Sequence, residues 1–181
     1  MRWQDYEALS EKTLSLQFHC DQRMQKMLHS VVGMLTEVEE ILDNHSMQSV
    51  DEVNRAEEWG DLAWYLAILT RELSMDFSTS GPPDKAADPV ISMTKSLLRL
   101  LDMLKKSIYY GKPFDDDAAT QAALRIMAAM SQYATSNGID TGSALRANIE
   151  KLRARYGDRF SSDAAINRDL DRERRVLGDN L

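Results

Sequence analysis

Four prolines and eight glycines are the strong backbone breakers in a chain of 181 residues, and most fall at seams between apolar stretches. Gly81 stands with Pro82 and Pro83, Gly111 with Pro113, and Gly138 and Gly157 each follow a helix-period run. Between these marks apolar residues recur at three- and four-residue spacing, and strand-like alternation of β-branched residues is missing. The pattern predicts an all-α protein, a helical bundle. Its 43% hydrophobic content is enough for the core of one domain.

Punctuation places the elements. The first helix is expected from about Trp3 to the region of Arg23, and the second from about Met27 to Asp43, with Leu28, Val31, Leu35, Val38 and Leu42 on one face. Ser49 with Glu52 three residues on forms an S-x-x-E capping box for a third helix reaching about Met75. Residues 77–89, "FSTSGPPDKAADP", read as a linker. Asp88 and Pro89 then serve as N-cap and first residue of a fourth helix that stops at Gly111 and Pro113. A fifth is expected over about Asp116–Ser136 and a sixth over about Thr141–Tyr156. Ser162 is the expected cap of a final polar helix to Leu177, lying on the surface or against a partner subunit. The domain is read as residues 1–157, with 158–181 as a C-terminal tail helix.

Charge and cysteine usage narrow the class. The net charge of −7 argues against a partner that is a nucleic-acid polymer. The charge is unevenly placed: residues 1–145 carry 13 basic and 22 acidic groups, whereas 146–175 carry 9 and 6, the only basic stretch. No apolar run approaches the 18 or so residues that span a bilayer, so no membrane association is expected. The N-terminus is charged from its second residue, unlike a secretory signal. Cys20 is the lone cysteine and cannot form an internal disulfide, which fits a reducing, cytoplasmic setting.

Two apolar stretches contain acids in their middles. In "GMLTEVEEIL" (33–42) Glu37 and Glu40 lie three apart, and in "EEWGDLAWYL" (57–66) Glu58 and Asp61 do the same. Residues three apart on a helix project together, so antiparallel neighbours can gather four carboxylates around one small volume. Such charges repel strongly at low dielectric; a hard divalent cation with oxygen ligands relieves them, which points to Mg²⁺ or Mn²⁺. E-x-x-E pairs also occur on solvated faces, but both pairs here are embedded among apolar residues. Glu39 and Glu57 lie about 100° around their helices from these pairs and are read as solvent-facing or supporting groups. Gly33 reads as a point of close helix packing. His19, His29 and His45 read as surface or capping residues, and none completes the Glu-x-x-His pattern of di-iron bundles.

The sixth helix supplies the opposite charge. Asn148, Lys151 and Arg155 fall at i, i+3 and i+7, one stripe of donors suited to phosphate oxygens. On spacing alone a snorkelling, solvated face explains the stripe as well. Cations on one wall and a carboxylate-held metal on the other form a receptacle for a polyphosphate. Trp59, Trp64 and Tyr65, beside the second acid pair, are candidates for the core or for stacking on a base.

In order along the chain, "YEALSEKT", "HSVVGMLTEVEEILD", "EEWGDLAWYLAIL" and "NIEKLRARYGDRFSSDAAINRDLDRERRVL" resemble segments of the MazG-like all-α nucleoside triphosphate pyrophosphohydrolases, in their bacterial and phage branch. Together the matches cover about half the chain. The resemblance implies hydrolysis of a nucleoside triphosphate at the α,β-phosphate bond to give the monophosphate and pyrophosphate. It assigns Mg²⁺ binding to Glu37, Glu40, Glu58 and Asp61, and triphosphate contacts to Asn148, Lys151 and Arg155. It also implies a homodimer or dimer of dimers. A dUTPase-like or phosphoribosyl-ATP-cleaving enzyme, or a non-catalytic helical interaction protein, are the competing readings.

Residues 91–134 resemble a faint second copy of the 31–70 hairpin. Laying Leu100–Asp102 on Ile41–Asp43 puts Ser96 and Arg99 in place of Glu37 and Glu40. Laying residues 123–130 on 60–67 leaves Arg125 or a close neighbour where Asp61 would be. A chain built this way is a fused pseudo-dimer with one acidic site kept and one lost.

Overall fold

The structure, a computed structural model, describes residues 1–46, 51–75 and 88–181. Among them there are eight α-helices and no strand: α1 Trp3–Ser10, α2 Gln22–Ser46, α3 Glu52–Glu72, α4 Pro89–Tyr110, α5 Asp116–Ser136, α6 Thr141–Tyr156, α7 Ser162–Ile166 and α8 Leu170–Asn180. The all-α bundle expected from sequence is what the chain forms. No helix among the described residues is long and apolar enough to cross a membrane.

Two helical hairpins make the bundle. In the first, α2 packs along α3; in the second, α4 packs along α5; and the hairpins meet through corresponding helices, α2 on α4 and α3 on α5. Met27, Val31, Met34, Val38 and Ile41 of α2 interlock with Leu62, Leu66 and Leu69 of α3 and with Met93, Leu97, Leu100, Leu104 and Ile108 of α4. These positions repeat every three or four residues, which keeps them on one stripe of each helix. Outside the four-helix core, α6 lies against α3, and α7 and α8 lie against α6.

Caps account for most boundaries. Asp88 accepts from the Ile91 amide ahead of Pro89, and α4 ends at Gly111 with φ 65°, the left-handed conformation that glycine adopts freely. Asp115 and Asp140 cap α5 and α6 in the same way. α3 is capped by Asp51, which accepts from the Asn54 amide at 3.0 Å. Ser49, expected as that cap, and most of the 77–89 linker lie outside the described residues. α3 gives way to a turn after Glu72, before the expected end at Met75.

Two expectations are corrected. The helix predicted over Trp3–Arg23 is helical only to Ser10, with one 3₁₀ turn over Glu11–Thr13. Its apolar residues have no core to enter, and all of α1 is exposed. The following residues are instead tied to the end of α4: Ser15 Oγ donates to the Tyr109 carbonyl at 2.7 Å and the His19 amide to the Ile108 carbonyl at 2.7 Å. α2 therefore starts at Gln22, where Asp21 accepts from the Met24 amide. The tail, predicted as one helix, is two: Ser161 caps α7 and Asp169 caps α8. It is not a purely surface element, because Glu173 and Leu177 are buried.

Candidate functional site

The facing sides of α2 and α3 open into a cleft of about 720 Å³ whose far wall is the C-terminal half of α6 and the segment leading through α7. Glu37, Glu40, Glu58 and Asp61 all line it. Glu37, Glu40 and Glu58 each bring a carboxylate oxygen within 4.8 Å of the others. Glu58 is 4% exposed, Glu40 is open to solvent, and Glu37 lies between the two. Such crowding in a poorly solvated place favours protons or a cation over three bare charges. Burial raises the Glu37 carboxyl above its usual range, helped by the charge of Asp61. Burial also raises Glu58, helped by the charge of Glu40, and Glu58 shares a hydrogen bond with Glu37.

Asp61, the fourth expected acid, stands beside this triad with both oxygens engaged by α6. Asn148 Nδ2 donates to one at 2.5 Å and Lys151 Nζ to the other at 2.5 Å. Lys151 also reaches Glu57 at 3.1 Å. Burial opposes the Lys151 ammonium, but the charges of Asp61 and Glu57 outweigh it and hold its pKa above the ordinary lysine value. The side chain is 1% exposed, so it is a fixed internal counter-charge.

Glycine makes this contact possible. A Cβ on Gly60 would lie 3.1 Å from Asn148 Cβ and 3.2 Å from the Ala144 carbonyl oxygen, so a bare backbone there lets α6 close on α3. Gly33 does the same inside the first hairpin: the Tyr65 ring lies where its Cβ would be, as expected of a close-packing glycine.

The expected donor stripe on α6 is therefore divided. Asn148 and Lys151, 3% and 1% exposed, turn toward the α3 acids, whereas Arg155 lines the cleft. Spacing put the three on one face of α6, but that face is wide enough to be split between a helix contact and an opening. Arg155 is itself held by Glu173 of α8, at 2.8 Å and 2.5 Å.

The aromatic residues divide likewise. Trp59 belongs to the core, its indole N–H donating to the Met130 carbonyl at 3.1 Å. Trp64 and Tyr65 pack edge to face at 4.9 Å, with His29 against Tyr65 at 5.6 Å, and all three line the cleft. Tyr156 and Phe160, 5.3 Å apart, face it from the α6 side. The floor is thus acidic, one wall carries arginines, and both rims carry aromatic faces.

Sequence reasoning missed several of these groups. Glu57, expected as a solvent-facing or supporting group, is the latter: it accepts from Lys151, and the groups missed altogether lie elsewhere. His29 lies eight residues before Glu37, roughly two turns along the same helix, a spacing compatible with the cleft face. Arg168 lies in "NRD" (167–169) of the quoted C-terminal segment, a signal that assigns it no role, and Glu173 carried no local signal, because both roles depend on how α8 docks. No protein-family model matches this chain, and no curated protein or solved structure matches it either.

Proposed function

We propose that the protein is a Mg²⁺-dependent nucleoside triphosphate pyrophosphohydrolase of the MazG-like kind, cleaving between the α and β phosphates to release the monophosphate and pyrophosphate. One observation carries this reading: three converging carboxylates form the floor of a cleft whose opposite wall holds arginines. The donor set fits a hard divalent cation. It consists of carboxylate oxygens alone, and the hydrogen bond joining Glu37 to Glu58 marks an excess of negative charge that a cation would relieve. Glu37, Glu40 and Glu58 would hold the ion, with Asp61 adjacent; Mn²⁺ suits the same oxygens. When bound, such an ion neutralises phosphate oxygens and acidifies a coordinated water.

The remaining chemistry falls to the chain's own residues. Glu40, the exposed member of the triad, is placed to accept the proton of an attacking water. That water forms the new bond to the α phosphorus, and the bond from this phosphorus to the bridging oxygen of pyrophosphate breaks. Lys151 pairs with Asp61 and fixes the position of its carboxylate beside the triad. Arg155 offers charge to the terminal phosphates from the opposite wall. Trp64, Tyr65, Tyr156 and Phe160 provide faces on which a base can stack.

The test is a panel of common and modified ribo- and deoxyribonucleoside triphosphates incubated with Mg²⁺ and resolved for monophosphate, diphosphate, pyrophosphate and phosphate. Monophosphate and pyrophosphate in equal amounts, lost on chelation, are expected. Release of phosphate and diphosphate would move the cleavage to another bond, and no turnover with any triphosphate would remove the enzyme reading.

A further inference from the structure

Glu173 is a buried acid that the chemistry above does not use. It sits on α8 at 3% exposure, gripped from both sides. Arg155 donates through Nε and Nη2 at 2.8 Å and 2.5 Å, and Arg168 through Nε and Nη2 at 3.2 Å and 2.6 Å. Burial alone would raise this carboxyl, but the hydrogen bonds from Arg155 and Arg168 bring it down to about 2, so it is an anion at neutral pH. Both arginines line the cleft that has the carboxylate triad on its floor. One buried carboxylate therefore holds two guanidinium groups side by side at the wall of an acidic cleft.

A helix end needs no such clamp merely to dock. Leu177 is buried, and Arg174 of α8 pairs with Asp51 at the start of α3 at 2.6 Å, so α8 has other anchors to the body. Two like charges brought together carry a repulsion that Glu173 offsets only in part, leaving a local excess of one positive charge. Nη1 of Arg168 has no partner among the described residues, and Arg155 has Tyr156 beside it, its guanidinium carbon 5.5 Å from the ring centre. Planar, preoriented donors with spare N–H groups match the tetrahedral oxygens of a phosphate chain.

We infer that the Arg155–Glu173–Arg168 clamp is a preformed wall for the non-reacting phosphates of a polyphosphate ligand, with Glu173 as the positioning residue that orients both arginines. The inference adds Arg168 to the binding surface and gives the tail a role in the site; it rests on the proposed function only for the identity of the full substrate. Binding energy spent in advance on orienting the arginines is not spent when ligand arrives. Glu173 touches no ligand, so its loss should appear in affinity more than in the chemical step.

The experiment uses inorganic tripolyphosphate, which has no base or sugar, titrated calorimetrically into the full chain and into Glu173→Gln, Arg168→Ala and Arg168→Lys. Wild type should bind it, with affinity falling by about tenfold in E173Q and R168A and only partly restored in R168K, because lysine cannot reproduce the fork. In triphosphate turnover, KM should rise by a similar factor while kcat changes less. R168K keeps the charge and spares the Arg155–Glu173 pair, so it remains informative if E173Q fails to fold. Turnover by wild type together with unaltered tripolyphosphate affinity in all variants would overturn the clamp and leave the enzyme reading standing. Clamp-dependent tripolyphosphate binding without turnover of any nucleotide would do the reverse. Lower thermal stability with unchanged affinity would reduce Glu173 to a fastening for α8 and overturn the inference.

Discussion

Where α2 and α3 place Glu37, Glu58 and Gly60, α4 and α5 place Ser96, Gln121 and Ala123, in the register that lays residues 100–102 on 41–43 and 123–130 on 60–67. Both hairpins bury the same kind of stripe, and corresponding helices touch across the centre of the bundle. Ser96 is buried as a small neutral group, whereas Arg99 and Arg125 point to solvent around a shallower, mostly apolar groove. The acids are tolerated on the first hairpin because something answers them. A hydrogen bond links Glu37 to Glu58, and α6 lends Lys151 to Asp61 and Glu57. Polar groups can occupy a helix–helix seam where a neighbouring element supplies the counter-charge; elsewhere the seam closes with small or apolar residues.

The largest effect that would break this comparison is expected at Glu58. Glu58→Ala should lower metal-dependent turnover by about a hundred- to a thousandfold, on the scale of removing a group that stabilises developing charge. The assay is initial rates across a Mg²⁺ titration; full activity in this variant would mean that the acids of the first hairpin are not the site. Lys151→Met comes next. It leaves Asp61 and Glu57 facing each other without their cation, and the partial exposure of both acids brings the expected loss to about 2–4 kcal/mol, measured by urea unfolding. An unchanged midpoint would show that the acids do not depend on α6.

Gly60→Ala sharpens the contrast with Ala123. The added methyl meets Asn148 and the Ala144 carbonyl, so α6 must shift and stability should fall by about 1–3 kcal/mol. A shift of the Asn148 amide resonances would accompany it.

A pH series probes the same asymmetry more gently. A carboxyl whose pKa folding raises, as burial does to Glu58, contributes its stability fully below the unfolded-state value near 4.5, and that contribution is lost as pH rises through the raised value. In chelator, the melting temperature should therefore decline as pH rises through and above neutrality. Mg²⁺ should offset the decline by binding the ionised carboxylates, and Glu58→Gln should flatten the slope. The smallest effect belongs to the second hairpin: Arg99→Ala should alter stability by no more than about 0.5 kcal/mol and leave initial rates near wild type. A marked loss there would show that the two hairpins are not divided in role as described.

Much of this was legible without coordinates. Helix-period apolar spacing marked both hairpins, and Asp88, Pro89 and Gly111 marked the limits of α4, because capping and backbone conformation depend on neighbours a few residues away. The i, i+3 acid pairs put Glu37 with Glu40 and Glu58 with Asp61 on shared helix faces for the same reason. The predicted first helix failed for want of a partner: Leu14 and Phe18 have helix-compatible spacing but stay exposed, and Ser15 and His19 bond to the end of α4 instead. Spacing leaves the α6 stripe open between a solvated face and a phosphate contact and the resemblance implies the latter for all three members, yet Asn148 and Lys151 turn to Asp61.

For α4, α5 and α6 the sequence by itself determined which residues become helix and where the helices stop, and along α2 and α3 it determined which acids share a helix face, since those properties follow from the local periodicity and hydrogen bonding of the backbone. Only the tertiary structure decided which charge answers which: Lys151 with Asp61 and Glu57, Glu173 with Arg155 and Arg168, three acids converging and the fourth turned aside. Electrostatic partners are selected by distance and burial in space, and residues about 90 positions apart become neighbours only when α6 closes over the bare backbone of Gly60.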